Sequence, residues 1–558
     1  MRERLKTALK ETLLRCFEIG VLKETALPDY VIEIPNNENH GHFATNLPMV
    51  LASSQGRRPT EIASVIVDHL EAQKNFIEKA DIAGPGFINF TLAKEHWYGI
   101  LSEVIVQGET FGQMDLGEGK RVLVEFVSAN PTGPLHLGHG RGAALGDTLC
   151  RILEFTGYEV VREFYINDAG QQIRLLGDSI YSRWRQGGDE DFPFPEQGYH
   201  GEYITDLAKE ISTEADLSTM EQDKAKTFCA DSGKAKMLQE IKNDLELFRV
   251  HFDVWTSEKG LHEDGLIQSS LEEIRNQGRM YEKDGALWIE TSVYGDDKDR
   301  VIKKKDGQYT YFASDIAYHL EKWKRGFAKA VNIWGADHHG YVQRVQAALQ
   351  ANGLDSSWLS ILLIQLVKLW KEGAEIKMSK RAGSFVTLRE LIDEVGIDAV
   401  RFVFLSKSHD SPLDFDIDLV KKQDSDNPVY YVQYAHARIC SIFRKAGSED
   451  ISLTQGPGPV LEHLVLEEEL ALIRQLSEFP TLLQEIAVNF EPHRITYYLT
   501  DLAASFHRYF NLGTRFPEHR IVTEEKDMTQ ARLLLAQGVR IVIRNGLHLL
   551  GIEAPRKM

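Results

Sequence analysis

Two histidines, His136 and His139, stand one helical turn apart in the run "HLGHGRG", with glycines at 138, 140 and 142. Glycines let a backbone come close to a ligand, and the first N–H groups of a helix have no internal partner and a positive dipole. Imidazoles placed there can donate to phosphate oxygens, so the turn suits an anion whose charge grows during a displacement. A second cationic cluster lies far along the chain in "EIKMSKRAGSFVTL" (Glu375–Leu388), where Lys377, Lys380 and Arg381 surround Ser379. Each feature has a plainer explanation, since loop carbonyls can satisfy histidines and charge runs usually face water. Taken as a pair, they point to chemistry on a nucleotide phosphate.

A strand must deliver the histidine turn and a helix must continue it. "VLVEFVS", from Val122, reads as the strand, Pro131 and Pro134 hold the loop, and Leu145, Leu149 and Leu153 repeat at helical spacing up to Gly157. "YEVVREFYIND" is the next strand, which makes a βαβ unit and predicts an α/β fold with a doubly wound parallel sheet of Rossmann type. Such sheets bind ligands beyond the carboxyl ends of their strands at the switch point, where the lysine loop would face the histidine loop. Two other nucleotide readings are weaker. "GEGK" (Gly117–Lys120) precedes a strand and has Arg121 where a P-loop has Ser or Thr, so it reads as a linker. "GHGRGA" matches a dinucleotide fingerprint, with Glu163 at about the spacing of a ribose-binding acid. In that fingerprint the glycines leave the strand at once, whereas here two prolines intervene.

The chain has 558 residues, 43% hydrophobic and 26% charged, with a formal net charge of −19. That charge argues against loose electrostatic binding of nucleic acid but permits a local basic track. Four cysteines without a Cys-x-x-Cys predict neither a zinc site nor a disulfide framework, and a reducing cytoplasm fits them. The opening segment is amphipathic rather than signal-like, and "WLSILLIQLVKLW" falls short of the ~20 apolar residues of a membrane span. Three domains are expected: a small α+β domain over 1–112, a catalytic domain over 118–407, and an all-α bundle over 408–558. The catalytic domain would carry a helical insertion at about 172–300 and the lysine loop at 375–388.

His-x-Gly-His with Lys-Met-Ser-Lys resembles the signature pair of class I aminoacyl-tRNA synthetases. Nearly the whole chain is similar to the arginyl-tRNA synthetases among them. "FVSANPTGPLHLGHGRGAALGD", "NDAGQQI" and "YHGEYI" look like the first half of that catalytic domain and its insertion, and "YTYFASDIAYH" and "WGADHHGYVQRV" like the second half. "GHFATNLPM" and "GPGFINF" resemble the N-terminal tRNA-touching domain, and "NPVYYVQYAHARI" and "GLHLLGIEAPRKM" the helical anticodon-binding domain. A cysteinyl or glutamyl enzyme of the same class is disfavoured by the missing zinc-type cysteines and by acids where a cation would be gripped. A catalytically dead paralogue is disfavoured by the intact histidine and lysine sets.

The resemblance implies an ATP-dependent ligase that forms arginyl-adenylate and passes the arginyl group to the terminal ribose of tRNA(Arg), with Mg²⁺ accompanying ATP and no zinc. His136, His139, Lys377 and Lys380 would be catalytic, and Gly138, Asp337, His338, Met378 and Ser379 would complete the ATP site. Glu125, Asp315 and Tyr311 would hold the guanidinium, whose five donors in a fixed fork call for planar acceptors. Ser128, Asn130 and Gln343, with His136, would bind the α-amino end. Phe43 and Asn46 would touch tRNA from the N-terminal domain, and Tyr430, Tyr434, Arg438 and Tyr498 from the bundle, where aromatics beside arginines can stack splayed bases. No membrane partner, no proofreading domain and a monomeric state are expected.

Overall fold

The apolar run after Arg121 forms the strand Arg121–Glu125, buried from Val122 onward, and it lies in the middle of a five-stranded sheet. Across the sheet the strands run Leu359–Ile364, Lys329–Gly335, Arg121–Glu125, Glu159–Ile166 and Val254–Ser257, every neighbouring pair parallel. The strand order reverses between Arg121–Glu125 and Lys329–Gly335, so a crevice opens where the chain leaves Glu125 and Gly335. The computed structural model describes the chain apart from residues 36, 38–39, 71–75, 264, 277, 377–385 and 448–458 and the side chains at 262, 273, 276 and 459.

The helix Leu137–Phe155 follows the first strand and is buried along nearly its whole length. Glycines at 138, 140, 142 and 146 each disfavour a helix by about 1 kcal/mol relative to alanine, so propensity alone would not form it. Packing decides instead, because small residues are what the surroundings admit. A Cβ on Gly140 would lie 2.7 Å from Leu388 Cδ1 and 2.8 Å from the Phe404 ring. Lower on this helix, Asp147 accepts from Arg401 at 2.5 Å and from Arg151 at 2.8 Å, with Arg401 wholly buried. Arg401 also donates to Phe248 O at 2.9 Å and Leu550 O at 2.7 Å. One guanidinium thus ties the first helix, the end of the helix Gln222–Leu247 and the C-terminal turn.

The stretch expected as a helical insertion is more mixed. Helices Gln171–Gln186, Glu202–Glu214 and Gln222–Leu247 share an apolar core that includes Ile180, Ile204 and Ile211. Val254–Ser257 then returns to the parallel sheet as an edge strand, and Met280–Lys283, Ala286–Ile289 and Arg300–Lys303 form a separate antiparallel sheet. Strands of four residues are too short to show a period among charged neighbours. "GEGK" is a turn before the first strand, with Lys120 N–H donating to Gly117 O at 2.8 Å, as a linker should be.

Contacts group the chain into two units. Thr110–Ile442, Pro480–Ala504 and Ile543–Met558 make the unit just described, and Met1–Glu109, Phe443–Phe479 and Ser505–Val542 make the other. The second unit contains an antiparallel sheet ordered Ile32–Glu33, Phe43–Thr45, Phe87–Leu92, Ile77–Ala83, its last two strands joined around the Gly-Pro-Gly turn. Among its helices, Glu469 is buried and accepts from Arg532 at 2.7 Å and Tyr509 at 3.0 Å. No helix of the described residues is long and apolar enough to cross a membrane.

Removing one partner of a buried ion pair strands the other, at a penalty of about 3–5 kcal/mol. Arg401→Ala should therefore lower unfolding stability by about that amount in urea titration. A loss below about 1 kcal/mol would mean that Asp147 is not held as described.

Candidate active site

His136 is the N-cap of the first helix and closes a reciprocal box with His139. Gly138 N–H and His139 N–H donate to His136 Nδ1 at 3.1 and 3.4 Å, and His136 N–H donates to His139 Nδ1 at 3.3 Å. The rings stack with centroids 3.7 Å apart and 17° between planes. A nitrogen that accepts carries no proton, so each neutral ring has its proton on Nε2. Both imidazoles are therefore preset as Nε2–H donors, the form that suits an anion.

The turn is bonded to the far half of the sequence. Leu388 N–H donates to Leu135 O at 2.8 Å, and His136 and Thr387 form an isolated antiparallel bridge. Thr387 caps the next helix, Leu388–Val395, in a box with Glu390. From the insertion, buried Asp244 holds Arg389 through bonds of 2.7 and 2.9 Å. Lys377, Met378, Ser379 and Lys380 lie outside the described residues; the residues that flank them are the strand Ala374–Ile376 and the His136-bridged Thr387.

The strand ends carry an acidic pocket. Glu125 is buried and accepts from Ser128 Oγ at 2.9 Å and from the Lys322 ammonium, which is itself fully buried and donates to Asn332 Oδ1 at 3.1 Å. Asn332 in turn donates to His319, whose Nδ1 bonds Asp315 O at 2.7 Å, and burial with Lys322 lowers His319 to about 3. Lys322, which the sequence did not single out, thus neutralises Glu125 before any ligand arrives. Asp315 feels Lys322 and His338 only as lesser opposing charges. Burial pushes its carboxyl up to about 6, against the Tyr341 hydroxyl bonded to it and with Glu125 raising it further. Glu258, also missed, is 6% exposed, and burial followed by the charges of Asp315 and Asp168 brings it to about 7. Tyr165 lies among Glu258, Asp315, Glu125 and Asp168, and burial with those charges raises its phenol far above the ordinary range. Asp168 is bonded by Ser257 Oγ at 2.9 Å and Lys259 N–H at 3.0 Å. The uncompensated negative charge is therefore on Asp315 and Glu258, a setting for a buried cation with several donors.

The remaining expected residues are distributed around this pocket. Tyr311 opens the helix Tyr311–Lys324, is 75% exposed, and has its hydroxyl 3.7 Å from where a Gly170 Cβ would stand. Asn130 donates to Gln172 at 2.6 Å, and Gln343 donates to Gly295 O. Asp337 is exposed and 3.8 Å from His338, which packs near Trp334. Glu163, the acid of the dinucleotide alternative, is fully buried under Tyr318, Thr256 and Arg325 at 2.7, 2.8 and 2.7 Å, with no face left for a ribose.

In the bundle, Tyr430 and Tyr434 stack at 5.8 Å and Arg438 lies 4.6 Å over Tyr434; Tyr498 is half-buried. Phe43 corrects the expectation: it is 5% exposed, paired across the sheet with Phe90, so its ring is core rather than surface. Asn46 accepts from Val31 N–H at 2.9 Å and precedes the helix Leu47–Gln55.

For a cation in this pocket the ionised form is the binding form, so affinity is expected to hold above pH about 7 and to fall as Glu258 and then Asp315 take up protons near 7 and 6. Titrated by calorimetry between pH 8 and 5.5, arginine should bind more weakly as pH falls and release protons on binding in that window. A flat profile would remove these acids from the pocket.

Comparison with known proteins is consistent along the chain. Residues 2–92 match the model of the arginyl tRNA synthetase N terminal domain, 100–413 that of the tRNA synthetases class I (R) catalytic domain, and 432–558 that of the DALR anticodon binding domain. The arginine–tRNA ligase of Desulfosudis oleivorans is 48% identical, and that of Syntrophotalea carbinolica 46%, each over 100% of both chains. The solved arginyl-tRNA synthetase of Thermus thermophilus shares the fold, with a TM-score of 0.78 over 100% of both chains at 24% identity. With its histidine turn, acidic pocket and split nucleotide fold, this chain belongs to the arginyl-tRNA synthetase family of class I aminoacyl-tRNA synthetases.

Proposed function

We propose that the chain joins L-arginine to tRNA(Arg) in two steps at the sheet's switch point. An arginine carboxylate oxygen attacks the α-phosphorus of ATP, and the bond to the β-phosphate bridging oxygen breaks, giving arginyl-adenylate and pyrophosphate. The terminal ribose hydroxyl of tRNA then attacks the arginyl carbonyl, and AMP leaves. Neither step needs a protein nucleophile, so positioning and charge stabilisation supply the catalysis.

The observation that carries this reading is the tie between the histidine turn and the root of the lysine loop, Leu388 to Leu135 and His136 to Thr387. Two cationic or donor segments, distant in sequence, start from one place beside the switch point. His136 and His139 donate from Nε2 to the reacting phosphate, with Gly138 leaving room for it. Lys377 and Lys380, with Met378 and Ser379, neutralise the departing pyrophosphate, and Asp337 and His338 meet the nucleotide from the end of the strand Lys329–Gly335. Among the described residues no group of three or more metal-ligating side chains is found. Mg²⁺ would come on the phosphates of ATP, with water completing its shell.

Asp315 and Glu258 take the guanidinium, Tyr311 covers it, and Glu125 contributes shape and acceptors while its charge is balanced by Lys322. Ser128, Asn130 and Gln343 hold the α-amino end. A lysine substrate would leave one of two buried acids without donors, which a buried site penalises strongly. The tyrosine–arginine patch of Tyr430, Tyr434 and Arg438, with Tyr498, takes anticodon bases, and Asn46 marks the N-terminal surface that meets tRNA. The functional domains are 1–112, 118–407 and 408–558, and the protein works as a cytoplasmic monomer.

Pyrophosphate exchange into ATP, run with each amino acid and with or without tRNA(Arg), tests the reading. Exchange should require arginine, and exchange driven by another amino acid would refute the specificity. Asp315→Asn should raise the arginine KM at least tenfold, the loss of about 1.4 kcal/mol expected of one charged contact, while tRNA binding stays intact. Unchanged arginine kinetics would exclude Asp315 from the pocket. Lys380→Ala should slow adenylate formation more than it weakens arginine binding, and the reverse order would mean that the loop is misassigned.

A further inference from the structure

The motif "YHGEYI" of the insertion has no part in the chemistry above, yet its side chains meet the loop that leads to the histidines. That loop leaves the first strand through two non-glycine residues in left-handed backbone, Val127 at φ 67° and Ser128 at φ 41°. Such conformations persist only where the surroundings hold them. Near the strand, Ser128 Oγ donates to Glu125 and accepts from Tyr165 N–H at 3.2 Å. At the loop's tip the hold comes from the insertion. Tyr203 donates its hydroxyl to Thr132 O at 2.9 Å, and the Tyr199 phenol is hydrogen-bonded with the Thr132 side chain. A Cβ on Gly133 would stand 2.9 Å from the Tyr203 hydroxyl, so the chain lies flush on the phenol because residue 133 is glycine.

We propose that Tyr203 is a positioning residue for the phosphate-binding turn: it clamps Thr132–Gly133 and so sets where His136, three residues on, starts the first helix. The proposal rests on the reading that His136 and His139 face the nucleotide. Tyr203 is a firm anchor, since its helix, Glu202–Glu214, is rooted by Ile204, Leu207 and Ile211 in the insertion core. The turn itself is set by distances of 3.1 to 3.4 Å among His136, Gly138 and His139, and a displaced loop tip would reach the imidazoles through only Pro134 and Leu135. A small misplacement of donors lowers transition-state stabilisation far more than it lowers ground-state binding.

The test is pyrophosphate exchange by the full chain with arginine and tRNA(Arg). Tyr203→Phe should lower kcat about tenfold, equivalent to about 1.4 kcal/mol, while arginine KM, tRNA affinity and melting temperature hold. Ile204→Val, in the core of the same helix, should lower the melting temperature and leave kcat alone. Gly133→Ala should be damaging alone and less so in the Tyr203→Phe background, where the hydroxyl it would strike is gone. The clamp is overturned if Tyr203→Phe keeps kcat within twofold, if Ile204→Val loses as much kcat, or if the Gly133 and Tyr203 effects simply add. His136→Asn separates the two ideas: full exchange there refutes the phosphate reading itself, whereas an inactive His136→Asn beside a normal Tyr203→Phe refutes the clamp alone.

Discussion

Buried Asp147 pairs with the wholly buried Arg401 and with the partly exposed Arg151, and the position of the histidine turn follows from it. The carboxylate sits on the first helix, Arg401 on a helix far along the chain, and Arg401 reaches on to Phe248 and the C-terminal turn at Leu550. Burying an ion pair is no route to stability in itself, since apolar residues of the same volume would serve as well or better. What a buried pair supplies is register: a slip by one residue would leave a charge without its partner. A helix with so little intrinsic propensity needs that kind of external reference, because small residues would let it slide against the strand it covers. Arg141, donating to the carbonyls of Gln365, Ser408 and Ser411 at 2.7 to 2.9 Å, adds a second fixed point near the helix start.

At the strand ends the arrangement of charge has a different logic. Four carboxylates surround Tyr165, and like charges at such proximity repel unless protons or cations intervene. Lys322 pairs with Glu125, Ser257 Oγ and the Lys259 amide donate to Asp168, and the carboxyls of Asp315 and Glu258 are pushed up. In the proposed reading, selectivity comes from this incomplete neutralisation. A monocation with two faces of donors would answer both of those acids, while a neutral isostere would answer neither.

Much of this was legible in the residues. The strand from Val122, the helix closing at Gly157 and the next strand announce themselves by apolar runs and helical spacing, and the histidine pair announces the anion site. The strand Val254–Ser257 was not legible, being four residues long in a charged stretch. Glu258 and Lys322 were not legible either, for another reason. An acid and a lysine on helices look like solvent-facing residues until the fold places them inside, and no spacing rule distinguishes a buried charge from an exposed one. Phe43 erred the other way: resemblance placed it at a tRNA-facing surface, yet its short strand is buried at all three positions and pairs it with Phe90. Individual residue roles came from resemblance, and the proposed pocket adds Glu258 beside Asp315 because Glu125 is paired with Lys322.

The reciprocal histidine cap has a kinetic corollary. Nδ1 of both rings is engaged as an acceptor by the main chain, so neither offers that lone pair to a proton, and in the proposed first step the attacking carboxylate has no hydrogen to lose. Bond exchange at phosphorus would then proceed without any hydron in flight. Run in heavy water under conditions where that step limits turnover, the reaction should show an isotope effect close to unity, unlike enzymes whose histidines shuttle protons.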